Sequence, residues 1–500
     1  MSLKNKILIS TFLASISILG NTTETIKYKD ISIPKMAPSA KRELRAAWIA
    51  SVFNIDWPST QGLSVQDQKN ELIKLLDEIK SMNMNAVIVQ VRPTADRFYS
   101  TPTDEPWSKY LTGIENQDPG YDPLTFMIEE AHKRNLEFHA WFNPYRITAT
   151  KGTALSENHI AKKNPDWVIE YDGKLYYDPG NPEAKKFTQK IILDVVKNYD
   201  LDAVHMDDYF YPYPTIINEN PLPFLDDKSF RASGTSFSKE KWRRENVNTF
   251  VKETSVLIKK VKPYVKYGIS PFGVWRNASV DRTGSNTSAG HSNYDSLYAD
   301  TRKWIKMGWV DYITPQIYWE FDLKVAPYAG LVDWWSKEVT EKDNIHLYIG
   351  QGAYKIGSNE KWGAEEVPNQ IKYNRTSERV SGSMHYGLKN LVNNNQNIKT
   401  SLITDIYAKK SLIPTMPWID NIAPKAPIDI KLKNGILTWK DDSRNDSTYY
   451  VIYNGEEIID TVPRLKNNDF SYNLGNNLTN IRISSVDRLH NESDIIEINQ

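Results

Sequence analysis

Two adjacent carboxylates, Asp207 and Asp208, follow a short apolar segment and are the first candidates for chemistry in this 500-residue sequence. Residues 201–204 have the composition of a buried strand. Continuing the strand alternation places His205 and Asp207 on one face, where a parallel sheet usually buries aliphatic side chains. The prolines of the aromatic run 209–214 cannot continue a central strand, so Asp208 falls just past the strand end. Either aspartate can also serve simply as a turn cap.

Glycoside hydrolysis is the chemistry that these carboxylates favour, because it needs two carboxyl groups on opposite sides of the scissile bond. Glu320, which follows a later strand, is the third catalytic candidate. Two schemes remain open. In one, Asp207 and Glu320 act from across the rim of the site. In the other, Asp207 and Asp208 act together, one orienting a substrate N-acetyl group that attacks its own anomeric carbon and the other serving as the acid.

Strands that end in polar residues recur along the chain and alternate with segments of helical spacing. Ser64, Asp122 and Asn181 precede three of these segments as N-cap candidates. The alternation predicts an α/β fold, a (β/α)8 TIM barrel over residues 41–420. An open doubly wound sheet is the alternative, but no glycine-rich phosphate turn follows the first strand. The predicted strands are 43–52, 86–91, 137–143, 201–204, 266–270, 310–318, 346–350 and 382–386.

Polar and aromatic side chains gather at the predicted C-terminal strand ends, where such a barrel builds its active site. Arg92, Asn143 and Gln316 are candidates for binding hydroxyl, acetamido or carboxylate groups. Arg92 and Asp96 can instead pair with each other across a loop. His205 is expected to orient the neighbouring aspartate rather than to act as general base. Aromatic rings suit stacking on sugars, and they equally suit rim packing. The other substrate-binding candidates are Asp96, His139, Arg146, Tyr209, Tyr211, Trp275, Tyr318 and Trp319.

The composition is that of an ordinary globular protein. Lys+Arg and Asp+Glu both number 62, so no net charge points to nucleic acid or an anionic membrane as partner. The 15 Trp and 28 Tyr include enough rings to supply sugar platforms besides core packing. The absence of cysteine excludes disulfides, thiol catalysis, thiolate metal sites and a cysteine-linked lipid anchor. No cofactor or metal is expected.

The two ends of the chain differ from the barrel. Lys4 and Lys6 precede an apolar run over 7–19, which predicts a signal peptide at 1–20 and export to the periplasm or outside the cell. Residues 21–40 are expected to be a flexible tether, and no later segment is predicted to span a bilayer. A proline-marked linker begins at 421. Short alternating strands to residue 500 predict a small all-β, immunoglobulin-like sandwich that resembles a fibronectin type III module.

A series of motifs carries a family resemblance. In order these are ELRAAWIASVFNIDWPS, NAVIVQVRPTADRFYST, PWSKYLTG, FHAWFNPYR, LDAVHMDDYFYPYP, GISPFGVWRN and DYITPQIYWEF. Residues 41–418 resemble the glycosyl-hydrolase-like family ten of bacterial exported proteins. The resemblance implies a (β/α)8 barrel and a glycosidase acting on cell-wall glycan, including strands stripped of stem peptides. The polysaccharide would alternate N-acetylglucosamine and N-acetylmuramic acid, whose lactyl carboxylate suits Arg92 or Arg146.

Two other functions compete with the glycosidase. A metal-dependent polysaccharide deacetylase would use His139, His205 and either Asp207 or Asp208 as ligands. A non-catalytic glycan-binding protein would keep the groove of the barrel without turnover. We place the glycosidase first, because the polar residues cluster at strand ends and the motifs match.

Overall fold

The computed structural model describes most of the chain. Within the described part, no helix has the length and apolar character needed to cross a bilayer. The predicted signal peptide lies outside it and stays a prediction. Most of the predicted tether is described: residues 25–34 form a hairpin in which Ile33 is buried, and the Tyr28 hydroxyl donates to Glu366, so this part packs against the barrel instead of forming a free tether. The described residues are 24–36, 40–101, 104–340, 342–442, 444–464, 469–475 and 478–498.

Eight parallel strands close into a barrel, each paired with the next along the chain and the last paired with the first. This closure confirms the predicted (β/α)8 fold and excludes the open doubly wound sheet. The strands are β1 (Leu44–Ile49), β2 (Ala86–Arg92), β3 (Glu137–Phe142), β4 (Ala203–Met206), β5 (Lys266–Ile269), β6 (Tyr312–Ile313), β7 (His346–Gly352) and β8 (Val380–Tyr386).

A helix follows each barrel strand. The three predicted N-caps are confirmed: the side chains of Ser64, Asp122 and Asn181 each accept a hydrogen bond from a backbone amide of the first turn. The helices are α1 (Val65–Ser81), α2 (Pro123–Lys133), α3 (Pro182–Asn198), α4 (Lys239–Val261), α5 (Thr301–Lys306), α6 (Tyr328–Glu338), α7 (Glu366–Asn374) and α8 (Leu388–Val392).

Two predicted elements are shorter than expected. β6 has two residues rather than nine, because Pro315 has no amide hydrogen for the ladder, and Gln316 forms separate bridges to Phe272 and Gly350. Residues 297–307, which also have helical spacing, form only the short helix α5. Tyr298 has a positive φ of 55°, a backbone conformation that cannot continue a right-handed helix.

Smaller elements decorate the barrel. Antiparallel hairpins pair Thr25–Tyr28 with Ile31–Pro34, Val168–Tyr171 with Lys174–Tyr177, and Ile216–Ile217 with Asn220–Pro221. The short α-helices are Lys109–Thr112, Ile160–Lys163, Asp227–Ala232, Asn293–Ser296 and Ile398–Ser401, the last continuing into a π-helix at Leu402–Ile406. Single 3₁₀ turns lie at Val52–Asn54, Pro165–Trp167, Ala353–Lys355, Glu360–Trp362 and Asn395–Asn397.

The C-terminal region is all-β, as predicted, with two antiparallel sheets in the order β9-β10-β13 and β12-β11-β14-β15. Its fibronectin type III character stays a prediction. The strands are β9 (Ile428–Lys433), β10 (Ile436–Lys440), β11 (Tyr449–Asn454), β12 (Glu457–Pro463), β13 (Asp469–Asn473), β14 (Ile481–Val486) and β15 (Ile496–Glu497).

The interior of the barrel is unusually aromatic and polar. Trp48, Trp141, Tyr312 and Tyr348 are buried there with smaller apolar side chains. Gly268 of β5 makes room for one of these rings, since a Cβ atom at this position would lie 2.0 Å from Cζ of Tyr312. The packing fills the barrel below its C-terminal rim and leaves space above.

Candidate active site

A cavity of about 270 Å³ opens at the C-terminal end of the barrel, where (β/α)8 enzymes hold their active sites. Its wall is formed by residues at the ends of several strands and in the loops that follow them. Aromatic side chains form most of the surface, together with a few polar groups. The lining residues are Trp48, Val52, Gln90, Trp141, Arg146, Asp207, Tyr209, Ser270, Gln316, Tyr318, Tyr354 and Tyr386.

Asp207 is the carboxylate that lines this cavity. It follows β4 on the inward side of the alternation and is largely buried. Its Oδ1 atom accepts hydrogen bonds from Nε2 of Gln316 and from the amide of Asp208, both at 2.8 Å. Burial raises the pKa of Asp207, while these two hydrogen bonds oppose the rise. A larger fraction of Asp207 therefore carries a proton than of an ordinary aspartate at the same pH.

Asp208 lies behind Asp207 and does not line the cavity. The hydroxyl of Tyr213 donates to its Oδ2 atom, and a hydrogen bond joins the side chains of the two aspartates. Burial and the negative charge of Asp207 raise the pKa of Asp208 well above the usual range. Two buried carboxylates in contact do not both ionise. Of the two aspartates, Asp208 therefore keeps its proton to the higher pH.

Aromatic rings form the walls above the aspartates. Tyr318 and Tyr386 lie parallel, with ring centroids 6.0 Å apart and an interplanar angle of 11°. The guanidinium of Arg146 lies 5.0 Å from the ring centroid of Tyr209 and donates to the carbonyl of Pro93. Flat rings beside hydrogen-bonding groups match the two kinds of surface that a sugar presents. The walls therefore suit a saccharide.

Gln90 supplies a polar group that the sequence analysis did not select. Its Oε1 atom accepts from the amides of Ser51 and Val52 at 3.1 and 2.9 Å. Its Nε2 atom is buried and has no hydrogen-bond partner among the described residues. A buried amide donor without a partner is costly, and a substrate acceptor in the cavity would satisfy it. The alternation of β2 gave the signal, because Gln90 is the polar residue on its inner face.

The structure brings five of the sequence-predicted binding and catalytic residues to the cavity, with Asp208 directly behind them. Those five are Arg146, Asp207, Tyr209, Gln316 and Tyr318. The cavity also contains aromatic and small residues that the sequence analysis did not select, since nothing distinguished their side chains from ordinary core residues. These are Trp48, Val52, Trp141, Ser270, Tyr354 and Tyr386.

Arg92 and Asp96 are not placed to bind substrate. The Arg92 side chain is 0% exposed, and Nε lies 2.9 Å from Oε2 of Glu105 in a buried ion pair. Its Nη1 atom donates to the backbone carbonyl of Asn143. Asp96 accepts a hydrogen bond from the Thr94 amide instead of pairing with Arg92. The expected pairing across the loop is wrong, because Glu105 occupies the guanidinium.

Asn143 and Glu320 also lie outside the cavity lining. Asn143 is buried and donates to the carbonyl of Pro93. The Oε2 atom of Glu320 accepts from Nε1 of Trp362 at 3.0 Å, and Lys361 lies 3.8 Å from the other carboxylate oxygen. Because its carboxylate faces these residues, Glu320 does not supply a second catalytic group opposite the aspartates.

Three aromatic candidates pack within the protein. Tyr211 is buried against Phe224 and Tyr298. Trp275 stacks on Trp334, with ring centroids 5.9 Å apart. Trp319 packs edge-on against Phe272. The rings of Tyr211, Trp275 and Trp319 therefore pack within the rim.

His139 and His205 are buried in the barrel below the cavity. Their Nδ1 atoms lie 2.9 and 3.0 Å from the hydroxyl of Tyr312. Nε2 of His139 faces Glu137, and Nε2 of His205 faces Ser270. Burial lowers the pKa of His205 well below its usual range. All four ring nitrogens thus have protein partners, and the described residues bring these histidines and Asp207 to no common metal-binding point. The described residues therefore do not bring together the metal ligands that a deacetylase would need.

Comparisons with known proteins identify the family of the chain. The model of the family glycosyl hydrolase-like 10 matches residues 43–366. The chain is 54% identical over 487 residues to glycosyl hydrolase YngK of Bacillus subtilis (strain 168), covering 93% of this chain and 94% of the relative. It is 37% identical over 378 residues to glycosyl hydrolase DigH of Escherichia coli (strain K12), covering 70% and 84%.

A solved structure that is similar in outline is the glycoside hydrolase domain of PgaB (BpsB) from Bordetella bronchiseptica. The TM-score is 0.47 at 11% identity, over 75% of this chain and 100% of that one. The match of the family model over residues 43–366, together with the two relatives, decides the assignment. The chain is a member of the glycosyl hydrolase-like 10 family, with a site of glycosidase type.

Proposed function

We propose that this protein is an exported glycoside hydrolase that cleaves bacterial cell-wall glycan, including strands stripped of stem peptides. The observation that carries the proposal is the Asp207 carboxyl group in an aromatic cavity, with Asp208 beside it donating a backbone hydrogen bond to its Oδ1 atom. A carboxyl group with a raised pKa is the proton donor that glycosidic bond cleavage requires.

Asp207 acts as the acid and then as the base. It gives its proton to the glycosidic oxygen as the bond from that oxygen to the anomeric carbon breaks. The hydrogen bonds from Asp208 and Gln316 stabilise the carboxylate that this transfer leaves. In the second step, Asp207 removes a proton from the water that attacks the anomeric carbon.

The nucleophile comes from the substrate. Enzymes that use two protein carboxylates hold them roughly 5 to 9.5 Å apart across the bond. Among the described residues that line the cavity, Asp207 is the one carboxylate. An N-acetyl sugar carries its own nucleophile, the acetamido oxygen, which attacks the anomeric carbon and forms a cyclic intermediate that water opens. This substrate-assisted route keeps the acetamido nucleophile of the second scheme left open by the sequence, but Asp208, which does not line the cavity, supports Asp207 instead of contacting the substrate.

Other groups in the cavity support a cell-wall substrate. Arg146 provides a cation for the lactyl carboxylate of N-acetylmuramic acid. Gln90 offers an unpartnered amide donor for a carbonyl or hydroxyl oxygen. The parallel rings of Tyr318 and Tyr386 offer apolar faces for sugar rings. Export is supported by the Lys-flanked apolar run at the N-terminus of the sequence.

The test compares wild type with Asp207→Asn on two N-acetylglucosaminides that differ only in the leaving group. An alkyl glycoside needs a proton on its leaving oxygen, whereas a dinitrophenyl glycoside leaves without one. We expect the kcat/KM of Asp207→Asn to fall about 10²- to 10⁴-fold on the alkyl glycoside and far less on the dinitrophenyl glycoside. Equal losses on both would show that Asp207 is not the acid.

A second experiment tests the substrate and the nucleophile. Purified peptidoglycan strands, intact and amidase-stripped, are incubated with wild type and with Asp207→Asn, and soluble products are identified by mass spectrometry. A thiazoline analogue of the cyclic intermediate should inhibit wild type. Binding of the strands without any product would favour the non-catalytic glycan-binding alternative instead.

A further inference from the structure

A column of hydrogen-bonded side chains runs along the barrel axis, from the C-terminal β region to the wall of the cavity. Each neighbouring pair is within hydrogen-bonding distance, and all members are buried. Because the column ends at a residue that lines the cavity, its hydrogen positions bear on substrate recognition. Its members are, in order, His490, Glu137, His139, Tyr312, His205 and Ser270.

The lower end of the column is a fixed acceptor. Oε1 of Glu137 lies 2.6 Å from Nε2 of His490 and pairs with Nζ of Lys266, and Oε2 lies 3.0 Å from Nε2 of His139. Burial acts to raise the pKa of Glu137, but the charge of Lys266 and the two histidines outweigh burial and hold it well below the usual range. An ionised carboxylate only accepts hydrogen bonds, so His139 donates to it through Nε2.

The upper end of the column is set by a group that can only donate. Nε1 of Trp48 donates to Nε2 of His205 across 3.3 Å, and Oγ of Ser270 lies 2.9 Å from the same nitrogen. An indole nitrogen has no acceptor capacity. Nε2 of His205 therefore carries no hydrogen. Its single lone pair is shared by two donors, the Ser270 hydroxyl at 2.9 Å and the Trp48 N–H at 3.3 Å, and the shorter contact is the Ser270 hydroxyl.

The two ends require the same direction for every bond between them. Since Nε2 of His205 is the acceptor, its Nδ1 carries the hydrogen and donates to the hydroxyl oxygen of Tyr312. That hydroxyl has one hydrogen, which it gives to Nδ1 of His139. Nε2 of His139 then carries the hydrogen that Glu137 accepts. A reversal at any point would set two donors or two lone pairs against each other.

We propose that Ser270 is a specificity-determining residue that presents a lone pair, not a hydrogen, to the substrate. Ser270 lines the cavity, and its hydrogen is committed to His205, so the role that we assign to its hydroxyl oxygen is to accept from a donor of the sugar, either a hydroxyl or the acetamido N–H. This inference rests on the proposed function for the identity of the ligand. The direction of the column itself does not depend on that function.

The other acceptor within reach of Ser270 is weaker. The carbonyl oxygen of Met206 lies 3.4 Å from its Oγ, compared with 2.9 Å for Nε2 of His205. The shorter contact is the better hydrogen bond. A hydroxyl directed at Met206 would also leave two lone pairs facing each other, one on Oγ and one on His205.

The direction of the column is tested by nitrogen NMR of the imidazole rings in the wild-type protein. The chain has 8 histidines, so His139→Gln and His205→Gln variants assign the two ring systems. We expect His205 with hydrogen on Nδ1 and His139 with hydrogen on Nε2. A His205 ring with hydrogen on Nε2 would overturn the inference, whatever the activity of the protein.

The role of Ser270 is tested by binding of a thio-linked N-acetylglucosamine oligosaccharide, which cannot be hydrolysed. Wild type and Ser270→Ala are titrated with the parent compound and with analogues that each lack one donor, either by N-methylation or by loss of a hydroxyl. We expect Ser270→Ala to bind the parent about tenfold more weakly. Wild type should bind one of the analogues about tenfold more weakly than it binds the parent. Ser270→Ala should bind that analogue no more weakly than it binds the parent.

The outcomes separate the two proposals. If wild type binds the parent, but the loss of no sugar donor cancels the effect of Ser270→Ala on affinity, the role of Ser270 is overturned and the proposed function stands. If Ser270→Ala lowers the affinity for the parent and for every analogue by the same factor, the effect is structural, and the role of Ser270 is again overturned. If wild type binds none of the oligosaccharides, the role of Ser270 is overturned, while the proposed function is decided by the peptidoglycan experiment.

Discussion

His490 of the C-terminal β region places Nε2 2.6 Å from Oε1 of Glu137, at the start of β3 in the barrel. Lys266 of β5 joins the same buried cluster through its ion pair with Glu137. The C-terminal region therefore closes the bottom of the barrel with a charged, hydrogen-bonded contact. This contact packs the region against the bottom of the barrel, and its division from the barrel as a separate domain stays a prediction.

The first prediction concerns this buried cluster. Replacing Lys266 by Met removes the cation beside Glu137 and leaves a buried carboxylate uncompensated, which should lower the free energy of unfolding by roughly 3–5 kcal/mol. Urea denaturation followed by tryptophan fluorescence measures the change. The matched control is Lys186→Met, because Lys186 forms an exposed pair with Glu183 and should contribute less than about 1 kcal/mol. Equal effects of the two variants would contradict the role of the cluster.

The second prediction concerns pH and Asp208. Its pKa is raised in the folded protein above the ordinary 3.8, so protonation favours the folded state. That contribution is fully present below the unfolded pKa and is lost as pH rises through the folded pKa. Asp208→Asn mimics the neutral acid at every pH, and Asn can still accept from Tyr213. Its stability advantage over wild type should therefore grow between pH 4 and pH 8, by urea denaturation at both values. An advantage independent of pH would be inconsistent with a raised pKa.

The third prediction separates the two catalytic schemes. Glu320→Gln keeps an oxygen that can accept from Trp362, and Glu320 does not line the cavity. Its kcat/KM should therefore stay close to that of wild type on the same glycoside, while Asp207→Asn loses about 10²- to 10⁴-fold. Circular dichroism confirms that both variants are folded. A folded but inactive Glu320→Gln protein would restore the scheme in which Asp207 and Glu320 act across the rim.

The fourth prediction concerns the charge of the substrate. If Arg146 binds the lactyl carboxylate, Arg146→Gln should weaken binding of a saccharide containing N-acetylmuramic acid by roughly 10- to 100-fold. An oligosaccharide of N-acetylglucosamine alone, which has no carboxylate, serves as the control. The affinity for this ligand should fall much less in Arg146→Gln. Calorimetric titration of both ligands gives the two affinities. Similar losses for the charged and uncharged ligands would assign Arg146 a purely structural role.

Strand alternation was the most informative signal in the sequence. The alternation of strands with helical segments predicted the barrel, and the alternation of side chains along the strands placed Asp207 and Gln316 on inward-facing positions near the strand ends, where the cavity contains both. Alternation is informative here because a closed parallel barrel has one interior and one exterior face. The same rule places Gln90 on the inner face of β2, but the sequence analysis did not select it, because its amide donor without a partner becomes evident only when its contacts are known.

The sequence failed where a side chain's partner comes from a distant part of the chain. Arg92 has the right position in β2, but Glu105 from the following loop takes its guanidinium. Glu320 follows Pro315, which ends the β6 ladder, so alternation no longer fixes where its carboxylate points. The contact of His490 with the barrel joins residues 353 positions apart. None of these pairings has a local pattern.

The last prediction concerns the space that Gly268 leaves for Tyr312. A Cβ atom at position 268 would lie 2.0 Å from Cζ of Tyr312, so Gly268→Ala must displace the ring or the strand, at a cost of roughly 1–3 kcal/mol or more. The displacement also moves the Tyr312 hydroxyl away from His139 and His205, so activity should fall together with stability. Gly290→Ala is the control, because a Cβ there meets no heavy atom within 4 Å, and its effect should stay within about 0.5 kcal/mol. If urea denaturation finds Gly268→Ala as stable as Gly290→Ala, the ring is not held by this packing, and the column through Tyr312 loses the support that fixes its geometry.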